Sequence, residues 1–166
     1  MFLYKLVLKS AVRILSKNEN AEFINSKGII KGKQKIIPGS GVNLDYYEIL
    51  NYPKEEIINF IFIARVMKQK RINQYLNDSK YIREKNLNTQ FHVLGYCDES
   101  YKKFKDMHDK GIIQYYGIQS DVRKFHKLSH CTIHPSYYPE GMSNFLLESA
   151  ARRRPIITTN IMKKTL

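Results

Sequence analysis

Short apolar runs alternate with longer polar stretches whose apolar residues recur at helical spacing. From residue 59 onward the runs are 59–64 (Asn-Phe-Ile-Phe-Ile-Ala), 90–95, 112–116, 130–134 and 155–159, most of them rich in β-branched or aromatic side chains. Runs of this kind, without a regular polar face, predict strands covered on both sides. The stretches between them predict helices: a Lys-rich one reaching Lys85, then 99–110, 121–128 and 143–152. Strand followed by helix, repeated, is the pattern of βαβ units with right-handed crossovers. The expected fold class is therefore α/β, with a Rossmann-like doubly wound parallel sheet.

The first 40 residues are organised differently. Residues 12–15 and 35–38 predict two short strands, and 20–26 a short helix ended by Gly28. Pro38-Gly-Ser-Gly41 is a turn-rich joint of the kind that links domains. The expected division is 1–40, the tail of a preceding domain with its linker, and 41–166, the sheet domain. No internal repeat or low-complexity tract is found.

In an open parallel sheet, ligands bind outside the carboxyl ends of the strands, which directs attention to the loops 65–71, 95–100, 117–121 and 135–144. The first reads Arg65-Val-Met-Lys-Gln-Lys70-Arg71, with four cations directly after a buried strand. Together with free amides at a helix start, such a rim forms a seat for phosphate or diphosphate, although Lys-rich first turns also occur as plain solvated surface. The fourth loop reads Pro135-Ser-Tyr-Tyr-Pro-Glu140-Gly-Met-Ser-Asn144. Gly141 permits close backbone approach and Ser143 suits a helix N-cap. Farther along, Glu148 adjoins an apolar face read as Leu147, Ala150 and Ala151, and leans back toward the helix N-terminus, within reach of a bound sugar hydroxyl. A solvent-facing helical glutamate would have the same signature, as would an idle loop carboxylate at Glu140.

Charge and composition narrow the choice of partner. Lys and Arg number 28 against 15 Asp and Glu, a formal net charge of +13 over 166 residues. That balance favours phosphate-bearing substrates, polyanions or an anionic membrane surface, while a general richness in Lys, Asn and Ile supplies basic surface without any partner. The cations are spread along the chain rather than interleaved with the aromatics of an RNA-binding sheet, so no nucleic-acid partner is expected. With 43% apolar and 26% charged residues, a chain of this length builds a core without crosslinks, and Cys97 and Cys131 suit a reducing compartment. Lys5, Lys9 and Arg13 interrupt the apolar N-terminus too often for a signal peptide, and no run approaches a membrane span. A cytoplasmic location is expected, with peripheral contact to an anionic membrane left open by Leu3, Leu6 and Val7 on one lysine-flanked face. His126, His130, Cys131 and His134 cluster, but strand alternation sends Cys131 and His134 to opposite faces, so no metal site is expected. His134 reads as cleft lining or as a packed histidine. The P-loop, dinucleotide and nucleophile-elbow motifs are absent, leaving NTPase, dehydrogenase and α/β-hydrolase readings without support.

Two glutamates separated by seven residues, in Glu140-Gly-Met-Ser-Asn-Phe-Leu-Leu-Glu148, resemble the signature of retaining, family-4-type glycosyltransferases with the GT-B fold. The preceding His134-Pro-Ser-Tyr-Tyr-Pro resembles the capsular and exopolysaccharide branch. Pro38-Gly-Ser-Gly-Val-Asn43 is similar to that family's interdomain segment, and Phe62-Ile-Ala-Arg65 with Lys70 to its diphosphate loop. Gly95 follows the second strand, and Tyr116-Gly-Ile-Gln-Ser-Asp-Val122 is similar to the base-binding turn. The likeness runs over residues 12–160 and implies the C-terminal, donor-binding half of a GT-B fold, lacking most of the N-terminal acceptor domain and truncated at its own C-terminus.

The resemblance also implies roles. Arg65 and Lys70 would hold the donor diphosphate, and Glu140 would contact hydroxyls of the donor sugar. Amides of Gly141, Met142, Ser143 and Asn144 would lie beside the sugar and distal phosphate; Glu148 would bind the ribose, and the turn near Ile118 would accept the nucleobase. The donor would be a UDP- or GDP-sugar, with no further cofactor, and the acceptor a polysaccharide or lipid-linked glycan. The alternative is a catalytically inactive fragment or partner subunit, which binds a nucleotide sugar or an acceptor-domain chain without transferring. Two positions depart from the family pattern: Arg71 and Arg153 stand where glycine is usual.

Overall fold

The computed structural model describes residues 10–16, 21, 24–26, 34–37, 39–97, 101–137 and 143–159. The chain divides into two compact units, one of Met1–Gly41 with Glu140–Asn144 and one of Val42–Pro139 with Phe145–Leu166. In the first, strands β1 (Ile14–Ser16) and β2 (Gln34–Ile36) pair in parallel, with Ile14 opposite Gln34.

The second unit carries a five-stranded parallel sheet made of β3 (Ile58–Ile63), β4 (Thr89–Leu94), β5 (Gln114–Tyr115), β6 (Cys131–His134) and β7 (Ile156–Thr158). Their spatial order is β5-β4-β3-β6-β7. A 3₁₀ turn (Lys68–Lys70) leads into α1 (Ile72–Glu84), and α2 (Tyr101–Asp109), α3 (Arg123–Leu128) and α4 (Asn144–Ala151) connect the remaining strands in sequence. The expected α/β fold is the one observed.

Strand β3 is apolar because it lies in the middle, paired with β4 from Ile58↔Thr89 to Ile63↔Leu94 and with β6 at Phe60↔Cys131. Its side chains alternate between two cores. Phe62 packs with Tyr75, Leu76, Phe91, Val93, Phe104 and Ile113 on one face, and Ile61 with Leu94, Phe125 and Phe145 on the other. On α1 the buried residues Ile72, Tyr75, Leu76 and Ser79 recur at three- and four-residue intervals, one stripe against the sheet. The buried Tyr75 hydroxyl shares its one proton between the carbonyls of His92 (3.0 Å) and Phe60 (3.2 Å), so its polar end is satisfied inside the core.

Three details differ from the expected pattern. The strand read over 112–116 is reduced to Gln114–Tyr115, because Gly111 turns the chain at φ +64° and the Ile112 and Ile113 amides donate to Met107 O, closing α2. Helix α3 begins at Arg123 rather than 121: Val122 stands at its N-cap, and the Asp121 carboxylate, one residue farther back, accepts the Arg123 backbone N–H (2.9 Å). The inward face of α4 centres on Phe145 and Ser149, which are buried; of the residues read as that face, Leu147 and Ala151 are half-buried and Ala150 is exposed. A small residue at 149 lets the helix approach β6, where the Thr132 hydroxyl donates to Ser149 Oγ at 2.9 Å.

Arg71 (φ 51°) and Arg153 (φ 56°) both hold the left-handed backbone that explains the usual glycine at these positions. A Cβ there costs about 1 kcal/mol. Arg71→Gly and Arg153→Gly are each expected to raise the urea midpoint, by roughly 0.5 kcal/mol in stability once glycine's greater unfolded freedom is counted. Unchanged or lower midpoints in both would overturn the strain assignment.

Candidate functional site

The order of the strands reverses at β3: the chain builds β4 and β5 outward on one side, then returns to lay β6 and β7 on the other. At such a reversal the loops leaving the two central strands part, and the crevice between them is where open α/β sheets bind ligands. The β3 loop begins with exposed Arg65 and buried Val66, whose N–H donates to Tyr96 O at 2.7 Å and which bridges to Cys97. The buried side chains of Val66 and Ile72 thus bracket a basic arch containing Lys68, half-buried Lys70 and exposed Arg71. No acidic residue occupies the first turn of α1, so these cations add to the positive end of that helix.

The β6 loop meets this arch. Tyr137 N–H donates to Gln69 O at 3.4 Å, and the Arg71 guanidinium lies over the Tyr137 ring at 5.0 Å. Beneath it, the Thr158 hydroxyl donates to His134 O (2.9 Å) and that of Thr159 to Ser136 O, tying the loop to the end of β7. His134 is buried, the packed one of its two readings.

On the other side of β3, Gly95 N–H donates to Gly117 O at 2.8 Å and the Tyr115 hydroxyl to Gly95 O at 2.9 Å. The turn after β5 is thereby pinned to β4, with Gly117 in the left-handed region (φ 65°) and Ile118 left 71% exposed. Below the turn runs a polar chain through His92, which burial holds down at about 4 and therefore neutral. Asn59 Nδ2 donates to Ile57 O, so its Oδ1 faces His92 Nε2 (2.8 Å) as acceptor, and His92 Nδ1 accepts from the Tyr116 hydroxyl at 3.0 Å.

Glu148 is half-buried, not solvent-facing. Its carboxylate stands 3.9 Å from Nε2 of the fully buried His126, and the Tyr47 ionisation is pushed up to about 12 by burial and by the Glu148 charge. Tyr47 belongs to a strap, residues 42–57, that precedes β3. Asn43 Oδ1 fixes its turn by accepting the N–H groups of Asp45 (2.9 Å) and Tyr46 (3.2 Å). Arginines hold it down: Arg123 over the Tyr46 ring (4.1 Å), Arg152 over Tyr47 (5.5 Å), and Arg154 donating to Asn51 O (2.9 Å) and His126 O (2.8 Å). Arg152 and Arg154 are 6% and 3% exposed, so these two cations fasten the fold and contribute little to the basic surface.

Of the residues singled out in the sequence, Arg65 and Lys70 share the β3 loop, Ile118 caps the β5 turn and Glu148 faces inward from α4. Ser143 immediately precedes α4 and Asn144 is its first residue. Glu140, Gly141 and Met142 lie outside the described residues. Sequence reasoning missed Tyr47 and His126 as neighbours of Glu148; the only available signal was the Tyr46-Tyr47 pair following a turn-rich joint. Among the described residues no group of three or more His, Cys, Asp or Glu is arranged to hold a metal ion, and no helix is long and apolar enough to cross a membrane.

The sequence profile of a family described as glycosyl transferases group 1 matches residues 58–165. No curated protein matches the chain. Among solved structures, a glycosyltransferase from Rickettsia africae superposes with a TM-score of 0.70 at 16% identity, over 95% of this chain and 48% of that one. A variant of S. aureus TarM, in complex with fondaparinux, α-GlcNAc-glycerol and UDP, gives 0.68 at 19% identity, over 97% and 33%. HepE of Anabaena, in complex with UDP and glucose, gives 0.67 at 12% identity, over 89% and 44%. The likeness is one of fold, and the chain spans a third to a half of the length of these structures.

Proposed function

The chain belongs to the glycosyl transferases of group 1, and from that premise we propose that its sheet unit binds the nucleotide-sugar donor of a retaining GT-B glycosyltransferase. The observation that carries this reading is the placement of Arg65, Lys70 and Ile118 on loops at the carboxyl ends of β3 and β5, beside the reversal of strand order. Arg65 and Lys70 take the diphosphate, the exposed Ile118 turn takes the base, and Glu148 takes the ribose. Glu140 and the amides of 141–144 complete the sugar side. When the glycosidic bond breaks, charge grows on the departing nucleoside diphosphate, and fixed cations with helix-start amides stabilise it. UDP in the HepE and TarM structures supports a uridine donor, and no further cofactor enters the proposal.

The acceptor in this reading is a capsular or exopolysaccharide chain or its lipid-linked precursor, met at the cytoplasmic face of the membrane. The net charge of +13 supports docking on anionic lipid there. Residues 1–40 are assigned to the acceptor domain and linker.

The test is calorimetric titration with UDP, GDP and their sugars. Lys70→Ala and Glu148→Ala are each expected to weaken nucleotide binding about tenfold or more, the scale of a charge-assisted hydrogen bond. Unchanged affinity in both variants would overturn the site. Sugar transfer by the purified chain separates the transferase from a subunit that only binds.

A further inference from the structure

Glu148 is the ribose contact in the function proposed above, and the inference here rests on that reading. Beside it His126 is fully buried, and neither of its ring nitrogens makes a hydrogen bond. Buried polar groups are nearly always paired, because each gave up a bond to water on folding. His126 Nε2 instead faces Glu148 Oε2 across 3.9 Å, within ion-pair range but about 1 Å beyond a hydrogen bond. The imidazole is the fixed member of this pair. Its backbone N–H donates to Val122 O (3.2 Å), and its carbonyl accepts from Arg154 Nε (2.8 Å) and from the Ser129 hydroxyl (3.1 Å). The Phe145 ring backs the imidazole at 5.3 Å, and the Tyr47 ring meets it edge-on at 6.3 Å. Glu148 is the mobile member: its side chain keeps 20% of its surface exposed, and its flexible stem lets the carboxylate move.

We propose that His126 is a positioning residue for the ribose of the donor: when the nucleotide binds, Glu148 closes onto His126 Nε2–H, which holds one carboxylate oxygen while the remaining acceptor positions take the two ribose hydroxyls. A carboxylate only accepts, so the proton sits on Nε2 in the closed pair. It offers about four lone-pair positions, and one bond from the imidazole leaves room for a diol. Both hydroxyls reach their positions together only if the carboxylate is held in one orientation, which a helix side chain facing water does not supply. The ring left unpaired in the free chain is thus satisfied in the complex, and ribose recognition gains from the bond that closes. A 2′-deoxyribose has one hydroxyl fewer to draw Glu148 into place. His126 thereby favours ribonucleotides over 2′-deoxyribonucleotides without touching the nucleotide.

His126→Phe keeps a ring between Phe145 and Tyr47 and removes the donor, whereas His126→Gln returns an N–H near the Nε2 position. Affinities of the wild-type chain, these two variants and Glu148→Ala are measured for UDP, 2′-deoxy-UDP and inorganic pyrophosphate, with the guanine pair in parallel. The wild type is expected to prefer the ribonucleotide. His126→Phe is expected to lose on the order of fivefold of that preference, the scale of one hydrogen bond, with pyrophosphate binding unchanged. His126→Gln is expected to recover part of it. Nitrogen NMR of the wild-type imidazoles gives a reading that needs no variant to fold: a protected Nε2 proton on His126 should emerge with UDP and be absent from the free chain. A preference kept in full by His126→Phe, an equal loss for all three ligands, or a His126 signal unaltered by UDP would overturn the proposal while leaving Glu148 as the ribose contact. No preference in the wild type, or one retained in Glu148→Ala, would overturn that contact, and the proposal with it.

Discussion

Gly95→Ala is expected to lower the stability of the chain by about 3 kcal/mol, at the upper end of overpacking effects, and to weaken nucleotide binding at the same time. A Cβ at this position would lie 2.0 Å from Ala64 O and 2.7 Å from Ala64 C, both backbone atoms that no rotamer change can remove. The φ of +134° is itself closed to side-chain-bearing residues. The contact arises because β3 and β4 remain clasped past their ends, through Ala64 N–H to Leu94 O (3.2 Å) and Val66 N–H to Tyr96 O (2.7 Å). Relief requires the start of the β3 loop to move, and Arg65 moves with it. Gly117→Ala is the control: it shares the positive φ, but its Cβ meets nothing within 4 Å, so it should cost only about 1 kcal/mol. Equal urea midpoints for the two variants would show that the close approach does not govern this site.

The second large effect is a loss of stability in mild acid. His92 is held at about 4 in the folded chain against an ordinary value of 6.5. Between those two pH values the unfolded chain binds a proton that the folded one refuses. Stability therefore falls as pH drops from 6.5 to 4 and levels off below, by up to about 3 kcal/mol from this group. Urea unfolding measured across that range, for the wild type and His92→Gln, isolates the contribution. The difference in slope should appear between pH 4 and 6.5 and vanish above 7. A parallel pair of curves would mean that His92 gives up its place to the charged form at little cost. Asp121 works in a lower window, because its hydrogen bonds with Arg123 hold it at about 2; its contribution is present at neutral pH and fades only as pH falls toward that value.

Much of the sheet was legible in the sequence because a central strand has no polar face to hide. Phe60, Ile61 and Phe62 form an unbroken apolar run for the physical reason that two cores flank β3. The loops bearing Arg65, Lys70 and Ile118 followed from the rule that ligands meet strand ends. The errors have local causes. The face of α4 was misread because Ser149 is polar by composition and buried by its bond to Thr132, which no periodicity count detects. The surroundings of Glu148 were invisible because Tyr47 lies about a hundred residues upstream. The burial of Arg152 and Arg154 was invisible too, because it rests on cation–π contacts and backbone carbonyls rather than on acidic partners that a sequence would reveal.

The strap has a consequence for the order of assembly. Residues 58–94, with β3, α1 and β4, form a unit whose paired strands are separated by a short stretch of chain, so they can dock soon after synthesis. The strap lies immediately before them but has little to hold it then. Its fasteners are Arg152, which donates to Tyr46 O across 106 positions, and Arg154, which donates to Asn51 O across 103. Closing so long a loop is slow and becomes worthwhile only once β6, α4 and β7 are in place. The loop that carries Arg65 and Lys70 is thus formed early, while the strap is fastened among the last contacts made, so a nascent chain passes through a stage with the central strands paired and the strap still loose.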